Sequence, residues 1–294
     1  MDLFEKKLNE AQRTVGLVYD TLKEPESVPL LSDAYGVYSS LAPHLKAYEE
    51  HYVGRQVAFV AAVGSLNYRC VTEDSDIDMK AVYLPSFEDL YFGRNQRFSL
   101  VTDKLDCELH PMQNYRKHAL KGNINFFEPL FSLATCVNPK VYSVMDMLRT
   151  LVKMNVGDTV LATFFTAEQM NKRAMYGTPD EPINWKSASH AYRLLTFIID
   201  LLDGEEMPLA ATGFAAEVVL KIKRGEVDFE LYNKSYEELH ACAKRMMFKS
   251  FEDGSNFKFS DAVLDHDHKG TPEWNDLNDQ VDIDIMRLIK SEIY

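Results

Sequence analysis

Two stretches decide how this chain folds: Gln56-Val57-Ala58-Phe59-Val60-Ala61-Ala62-Val63-Gly64-Ser65 and, after a ten-residue loop, Asp76-Ile77-Asp78-Met79-Lys80-Ala81-Val82-Tyr83-Leu84. The first is apolar, partly β-branched and stops at a glycine, which predicts a buried strand over 56–63. The second alternates, with Ile77, Met79 and Ala81 on one face of a strand and Asp76, Asp78 and Lys80 on the other. A third alternating run, Leu105-Asp106-Cys107-Glu108-Leu109-His110, brings Asp106, Glu108 and His110 to one face.

Outside these strands the period changes. Leu3, Phe4, Leu8, Ala11, Val15, Val18 and Leu22 recur at three- and four-residue steps and predict an amphipathic helix over 2–24. A second helix is expected over 32–50. From residue 112 onward helices are predicted at about 112–121, 124–135, 139–155, 158–175, 186–203, 210–224, 232–248 and 279–292. The fold class is therefore α+β: a small mixed sheet, within about 45–135 and with helices on one face, followed by a mostly helical domain. No Gly/Ser-rich linker separates the two parts, so they are expected to pack closely around a cleft.

Composition bounds the function. The 294 residues carry 45 acids against 32 lysines and arginines, a formal charge of −13. Such a chain repels long polyanions and anionic membranes at a distance, and duplex DNA is not an expected partner. Residues 252–284 hold ten acids and two lysines, so they alone contribute −8. Cys70, Cys107, Cys136 and Cys242 are widely spaced, without zinc or redox spacing. The opening Met1-Asp2-Leu3-Phe4-Glu5-Lys6-Lys7 has no apolar signal core, and the longest apolar run, 57–63, is too short to cross a bilayer. A cytoplasmic protein is expected.

The strand, Gly-Ser, loop and Asp-x-Asp order carries chemistry. A glycine at a strand end lets backbone approach a ligand closely, and the next N–H and hydroxyl can hold a phosphate. Two Asp residues at i and i+2 on a strand point the same way, toward one hard cation. A third carboxylate on a neighbouring strand completes an oxygen cage suited to Mg²⁺, commonly as a pair, across a nucleotide's phosphates. Either piece alone is ordinarily a turn or a solvated edge. Their ordered combination, with apolar neighbours that make unpaired carboxylates costly, favours a site.

The segment Val63-Gly64-Ser65 … Ser75-Asp76-Ile77-Asp78-Met79 resembles the signature of the DNA polymerase beta-like nucleotidyltransferase superfamily. The longer pattern Gly64-Ser65-Leu66-Asn67-Tyr68 … Glu73-Asp74-Ser75-Asp76-Ile77-Asp78 … Val82-Tyr83-Leu84-Pro85 is similar to the predicted nucleotidyltransferases of bacteria, phages and RNA-repair operons. Asp106, Lys121-Gly122-Asn123, Glu128, the run Lys186 … His190-Ala191-Tyr192-Arg193 and Lys223-Arg224-Gly225-Glu226 follow the group's order. The resemblance implies a nucleotidyltransferase domain over 1–135 and a helical domain with an acidic C-terminal segment over 136–294. It implies that Gly64 and Ser65 hold triphosphate oxygens and that Asp76 and Asp78 bind Mg²⁺. Asp106 would be the third carboxylate, ligating a metal and deprotonating the attacking hydroxyl; Glu108 is the alternative on the same face. The substrate implied is an NTP, and the acceptor an RNA 3′ end, a protein or a small molecule. A catalytically silent nucleotide-binding module is the reading from another class. Two positions depart from the group: Arg69 stands where relatives usually have Gly, and Ile124 where they often have Pro. A bulky Arg69 limits positive φ, so either the loop is reshaped or Arg69 contacts phosphate.

Lys186, His190 and Arg193 are spaced to share one helix face and are the candidate phosphate-binding cations. Arg116, Lys117 and Lys121 are weaker candidates, and Glu128 is expected to pack or hydrogen-bond. The Asp265-His266-Asp267-His268 run is expected to be a solvated acidic loop. Trp185 and Trp274 are read as either core residues or stacking platforms.

Overall fold

The computed structural model describes residues 2–23, 55–94, 97–101, 106–177, 183–210, 212–252 and 256–291. The helix expected over 32–50 lies outside them. A five-stranded sheet has the order β3-β4-β2-β1-β5, with β1 Gln56–Val63, β2 Asp78–Leu84, β3 Phe98–Val101, β4 Asp106–Pro111 and β5 Thr135–Val137. β2 and β4 are parallel and the other pairs antiparallel. The parallel register sets Asp78 beside Asp106, Lys80 beside Glu108 and Val82 beside His110. Side chains on neighbouring parallel strands share a face when their residues are in register, so both polar alternations point the same way.

The opposite face is apolar. Met79, Ala81, Tyr83, Cys107 and Leu109 form a buried cluster with Ala11, Val15, Val18 and Leu22 of helix α1 (Leu3–Lys23). The expectation of helices on one face is thereby corrected. A strand whose two sides are both apolar or partly apolar needs both covered, and α1 supplies the second layer.

Described helices from later in the chain pack on the polar face. Helices α2 (Phe87–Tyr91), α3 (Met112–Ala119), α4 (Ile124–Phe127), α5 (Tyr142–Lys153), α6 (Val156–Ala174), α7 (Trp185–Leu202), α8 (Gly213–Lys223) and α9 (Phe229–Met247) follow in order. A single core joins Phe59, Ala61, Val82 and Leu84 of the sheet to Met112, Tyr115, Phe127, Leu148, Phe164, Leu194 and Ile198 of these helices. At the ends of β2 and β4 that carry the acids a cleft opens toward α7 and α8.

The expected helix over 124–135 is interrupted. One turn of α4 gives way to a 3₁₀ turn, Glu128–Phe131, with Pro129 at its start, and the chain then enters β5. Between the helices expected at 232–248 and 279–292, where no element is expected, the described residues carry regular structure. A hairpin of β6 (Phe248–Glu252) and β7 (Asn256–Phe259) leads to α10 (Asp261–Leu264) and α11 (Pro272–Lys290). The helix α11 begins at Pro272, capped by the Thr271 side chain accepting from the Trp274 N–H.

Candidate active site

The cleft is a cavity of about 570 Å³. Its floor begins where β1 ends. Gly64 has φ +77°, and a Cβ there would lie 2.9 Å from Asp78 Oδ2. Both the left-handed backbone and the close approach require glycine. Glu128, 2 % exposed, holds this turn from below. It accepts from the Gly64 N–H at 2.5 Å, from Asn67 Nδ2 at 2.9 Å and from the Tyr68 hydroxyl. Burial pushes the Glu128 carboxyl upward, opposed by the Tyr68 hydrogen bond, the Arg193 charge and the other two donors. Because the Gly64 N–H is already engaged, Ser65 is left to face the cavity, and its hydroxyl has no partner among the described residues.

Asp76, Asp78 and Asp106 all line the cavity. Asp76 and Asp106 are exposed and Asp78 is half-buried. The Asp78 carboxyl is held above its ordinary value by burial and by repulsion from Asp76 and Asp106, against the pull of Lys186. None of the three has an ion-pair partner among the described residues. A donor set of three carboxylates not tied up in ion pairs is the chemistry that suits a hard divalent ion. No three His, Cys, Asp or Glu side chains among the described residues are already gathered as a metal-holding group.

Glu108 is differently placed. Lys80 Nζ donates to it at 2.8 Å, Arg97 donates to its other oxygen, and His110 Nε2 lies 3.3 Å away. Burial alone would raise its carboxyl, but Lys80 and Arg97 hold it down at about 2. Burial and the Lys80 charge push His110 down to about 4, so it is neutral at pH 7.

Lys186, His190 and Arg193 enter the cavity together from α7. Their spacing delivers this: Ala191, Leu194, Leu195 and Ile198 bury the other side of the helix. The Arg193 guanidinium stacks on Tyr68 at 3.3 Å from the ring centre. It is 2 % exposed, and all three of its guanidinium nitrogens lack hydrogen-bond partners. The His190 ring meets the edge of Tyr68, and burial, with Arg193 and Lys186 nearby, pushes it down to about 3. Lys223 of α8 completes this wall. Its Nζ donates to the Cys70 carbonyl at 2.8 Å and to Ser75 Oγ at 3.3 Å, while Lys7 of α1 donates to the Ser75 carbonyl at 2.8 Å. The loop that delivers Asp76 is thus pinned from two sides.

The sequence pattern of the RNA repair pathway DNA polymerase beta family matches residues 37–278. The chain belongs to that family. No curated protein matches it. The family is one of polymerase beta-like nucleotidyltransferases, and the match spans the whole cleft, from Gly64 to Lys223. No helix among the described residues is long and apolar enough to cross a membrane.

Within this family member, the structure separates the sequence-expected residues. Gly64, Ser65, Asp76, Asp78, Asp106, Lys186, His190 and Arg193 meet in the cleft. Arg69 does not. It takes the left-handed backbone that a glycine adopts readily, at φ +54°. Its exposed side chain lies over the Phe4 ring of α1, 5.4 Å from the centre, away from the cavity walls. Arg116 is also directed elsewhere, binding Asp282 and Asn278 of α11. Asp267 lies against Gly157 at the start of α6 and the His268 N–H donates to the Met154 carbonyl, while Asp265, His266 and His268 are exposed, as expected of a solvated run. Trp185 packs on Gly225 and Tyr232, and Trp274 Nε1 donates to the Leu151 carbonyl; neither ring lines the cleft.

Sequence reasoning missed Lys80, Tyr68 and Lys223 as parts of the site. Lys80 had a legible signal, since it lies two residues from Asp78 on the same strand face. Lys223 had none beyond its place in the family pattern.

Proposed function

We propose that the protein transfers a nucleoside monophosphate from an NTP to an acceptor hydroxyl, with an RNA 3′ end the favoured acceptor. The observation that carries this reading is the set of three carboxylates, none in an ion pair among the described residues, beside the Gly64–Ser65 turn. In the reaction, the acceptor oxygen bonds to the α-phosphorus, the α–β bridging P–O bond breaks, and pyrophosphate leaves with the electron pair. The hydroxyl proton passes to Asp106. Glu108, already paired with Lys80 and Arg97, is held anionic for another purpose, which favours Asp106 as the base. Ser65, Lys186, Arg193 and Lys223 would orient the triphosphate, and His190, neutral at pH 7, serves as a hydrogen-bonding group. Asp76, Asp78 and Asp106 would hold Mg²⁺, which supplies charge neutralisation across the phosphates when bound.

The test is incubation with each α-labelled NTP, Mg²⁺ and RNA, protein or small-molecule acceptors. Asp76→Ala combined with Asp78→Ala is expected to lower label transfer at least about a hundredfold. Transfer at the parent rate would sink the assignment. Mg²⁺-dependent thermal stabilisation by NTPs without turnover by the parent protein would instead indicate a silent nucleotide-binding module.

A further inference from the structure

The cavity extends past the carboxylates, to the side of β2 away from the Gly64–Ser65 turn. The strand order sets this direction: β1 with its turn lies on one side of β2, β4 and β3 on the other. On that far side the walls are Arg97, Glu108, Asn125 and Phe126. Arg97 has a 58 % exposed side chain and, among the described residues, one ion pair, to one oxygen of Glu108, so most of its donor fork has no partner among them. Asn125 is exposed, with its side-chain amide unpartnered among the described residues. The half-buried Phe126 ring is fixed by His118 at 4.7 Å and His110 at 5.0 Å, with Lys80 Nζ 5.3 Å from its centre.

Charge distinguishes this side from the rest of the molecule. In a chain of −13, residues 109–127 hold Arg116, Lys117 and Lys121 and no acid. Arg116 is neutralised by Asp282, but Lys117 and Lys121 are exposed. They lie on the segment that joins β4 to Phe126. In the cavity itself Lys80 and Arg97 balance Glu108 and Asp106 before any metal binds. An open guanidinium, a fixed aromatic ring and a free amide beside a basic segment are the groups that bind a single strand: phosphodiester on the cation, base on the ring and amide. A peptide acceptor has no such need for a cationic approach.

We propose that this β4–α3–α4 side of the cleft is the acceptor subsite, and that its occupant is the end of a single-stranded RNA. Arg97 takes a phosphodiester, Phe126 and Asn125 take the terminal base, and Lys117 and Lys121 attract the strand behind it. The inference rests on the nucleotidyltransferase reading in one respect, that Asp106 marks where the acceptor hydroxyl enters.

Two readouts separate the two ideas: anisotropy of a short 5′-labelled single-stranded RNA without NTP, and thermal stabilisation by Mg²⁺ with a non-hydrolysable NTP analogue. Arg97→Ala is expected to weaken RNA binding about tenfold and to lower its salt slope by about one. Phe126→Leu, which keeps an apolar body in the core, is expected to weaken it about fivefold or more. Lys117→Ala with Lys121→Ala lowers it further at low salt, whereas Lys221→Ala on α8 leaves it unchanged. NTP stabilisation should be the same in all of them. The subsite is overturned if the parent protein does not bind the RNA, or if these variants bind it normally, or if they lose NTP stabilisation instead. If the RNA results hold while the parent shows no NTP stabilisation, the subsite stands and the nucleotidyltransferase reading falls.

Discussion

Glu128 shows how one side chain can set a site without facing it. Three donors converge on its buried carboxylate, and Arg193 supplies a nearby positive charge. Glu128→Ala would strand the Gly64 N–H, the Asn67 amide and the Tyr68 hydroxyl in a dry environment. Each unsatisfied buried group costs about 1–3 kcal/mol, so a loss of roughly 3–5 kcal/mol is expected in urea unfolding. Glu128→Gln keeps an acceptor for some of these donors and should lose less. Since Glu128 acts through the turn, Glu128→Gln is also expected to raise KM for NTP more than it lowers kcat; unchanged KM would refute that positioning role. Gly64→Ala tests the turn directly. The left-handed backbone adds about 1–2 kcal/mol of strain, and the new Cβ meets the Asp78 carboxylate at 2.9 Å. Transfer activity should therefore fall far more than stability does. The Gly64, Asp76 and Asp78 grouping was legible because it is local and ordered in sequence. The hydrogen-bonding role of Glu128 was legible too, but its partners were not, because Gly64 is 64 residues away and a Glu within the helical pattern at 124–135 does not show what it bonds.

At the scale of elements, alternation revealed β1, β2 and β4, each long enough to show a pattern. β3 and β5 have four and three residues, too few for alternation to separate from loop, and both are sheet edges. The helices with full apolar stripes, α5 to α9, were found to within a few residues. The start of α11 was missed although Thr271-Pro272 is an ordinary N-terminal signal, because the surrounding acids read as solvated loop. The segment Lys121-Gly122-Asn123 acquires a reason that its sequence did not give. Gly122 has φ +69°, and a Cβ there would meet the Asp158 carbonyl carbon and oxygen at 2.5 and 2.4 Å. Asn123 then caps α4 by accepting from the Asn125 N–H. The segment is the joint that presses α4, with Phe126 and the following Glu128, against α6. Gly122→Ala is expected to destabilise the protein by roughly 3 kcal/mol or more, combining backbone strain with an overlap that backbone atoms cannot relieve. A urea midpoint like that of the parent would show that the joint is slack.

For the whole molecule, net charge is a poor guide to what the cleft binds. None of the described acids in residues 258–284 lines the cavity, and several are paired: Asp261 with Lys249, Asp282 with Arg116, Asp284 with Arg287. The cavity walls carry six carboxylates and five lysines and arginines, close to balance before any metal binds. What the cleft imposes on the molecule is a dependence on pH. His190 and His110 are held down at about 3 and about 4, against 6.5 in an unfolded chain. Below pH 6.5 the unfolded chain takes up protons that the folded protein refuses. The stability present above 6.5 is therefore lost as pH falls toward those lower values, by on the order of 2 kcal/mol per histidine at pH 5. Glu128 and Asp78 act oppositely: their raised carboxyls weaken the fold at high pH, and that penalty is relieved as they protonate. The net slope mixes both, so the histidine share has to be isolated by substitution. Urea midpoints measured from pH 8 to pH 5 should fall for the parent and fall less steeply for His190→Phe, whose ring can still meet Tyr68 but cannot titrate. Parallel curves for the two proteins would mean that His190 takes up its proton as readily in the fold as in the unfolded chain, and that below pH 6.5 the wall of α7 gains a third charge toward its ligand.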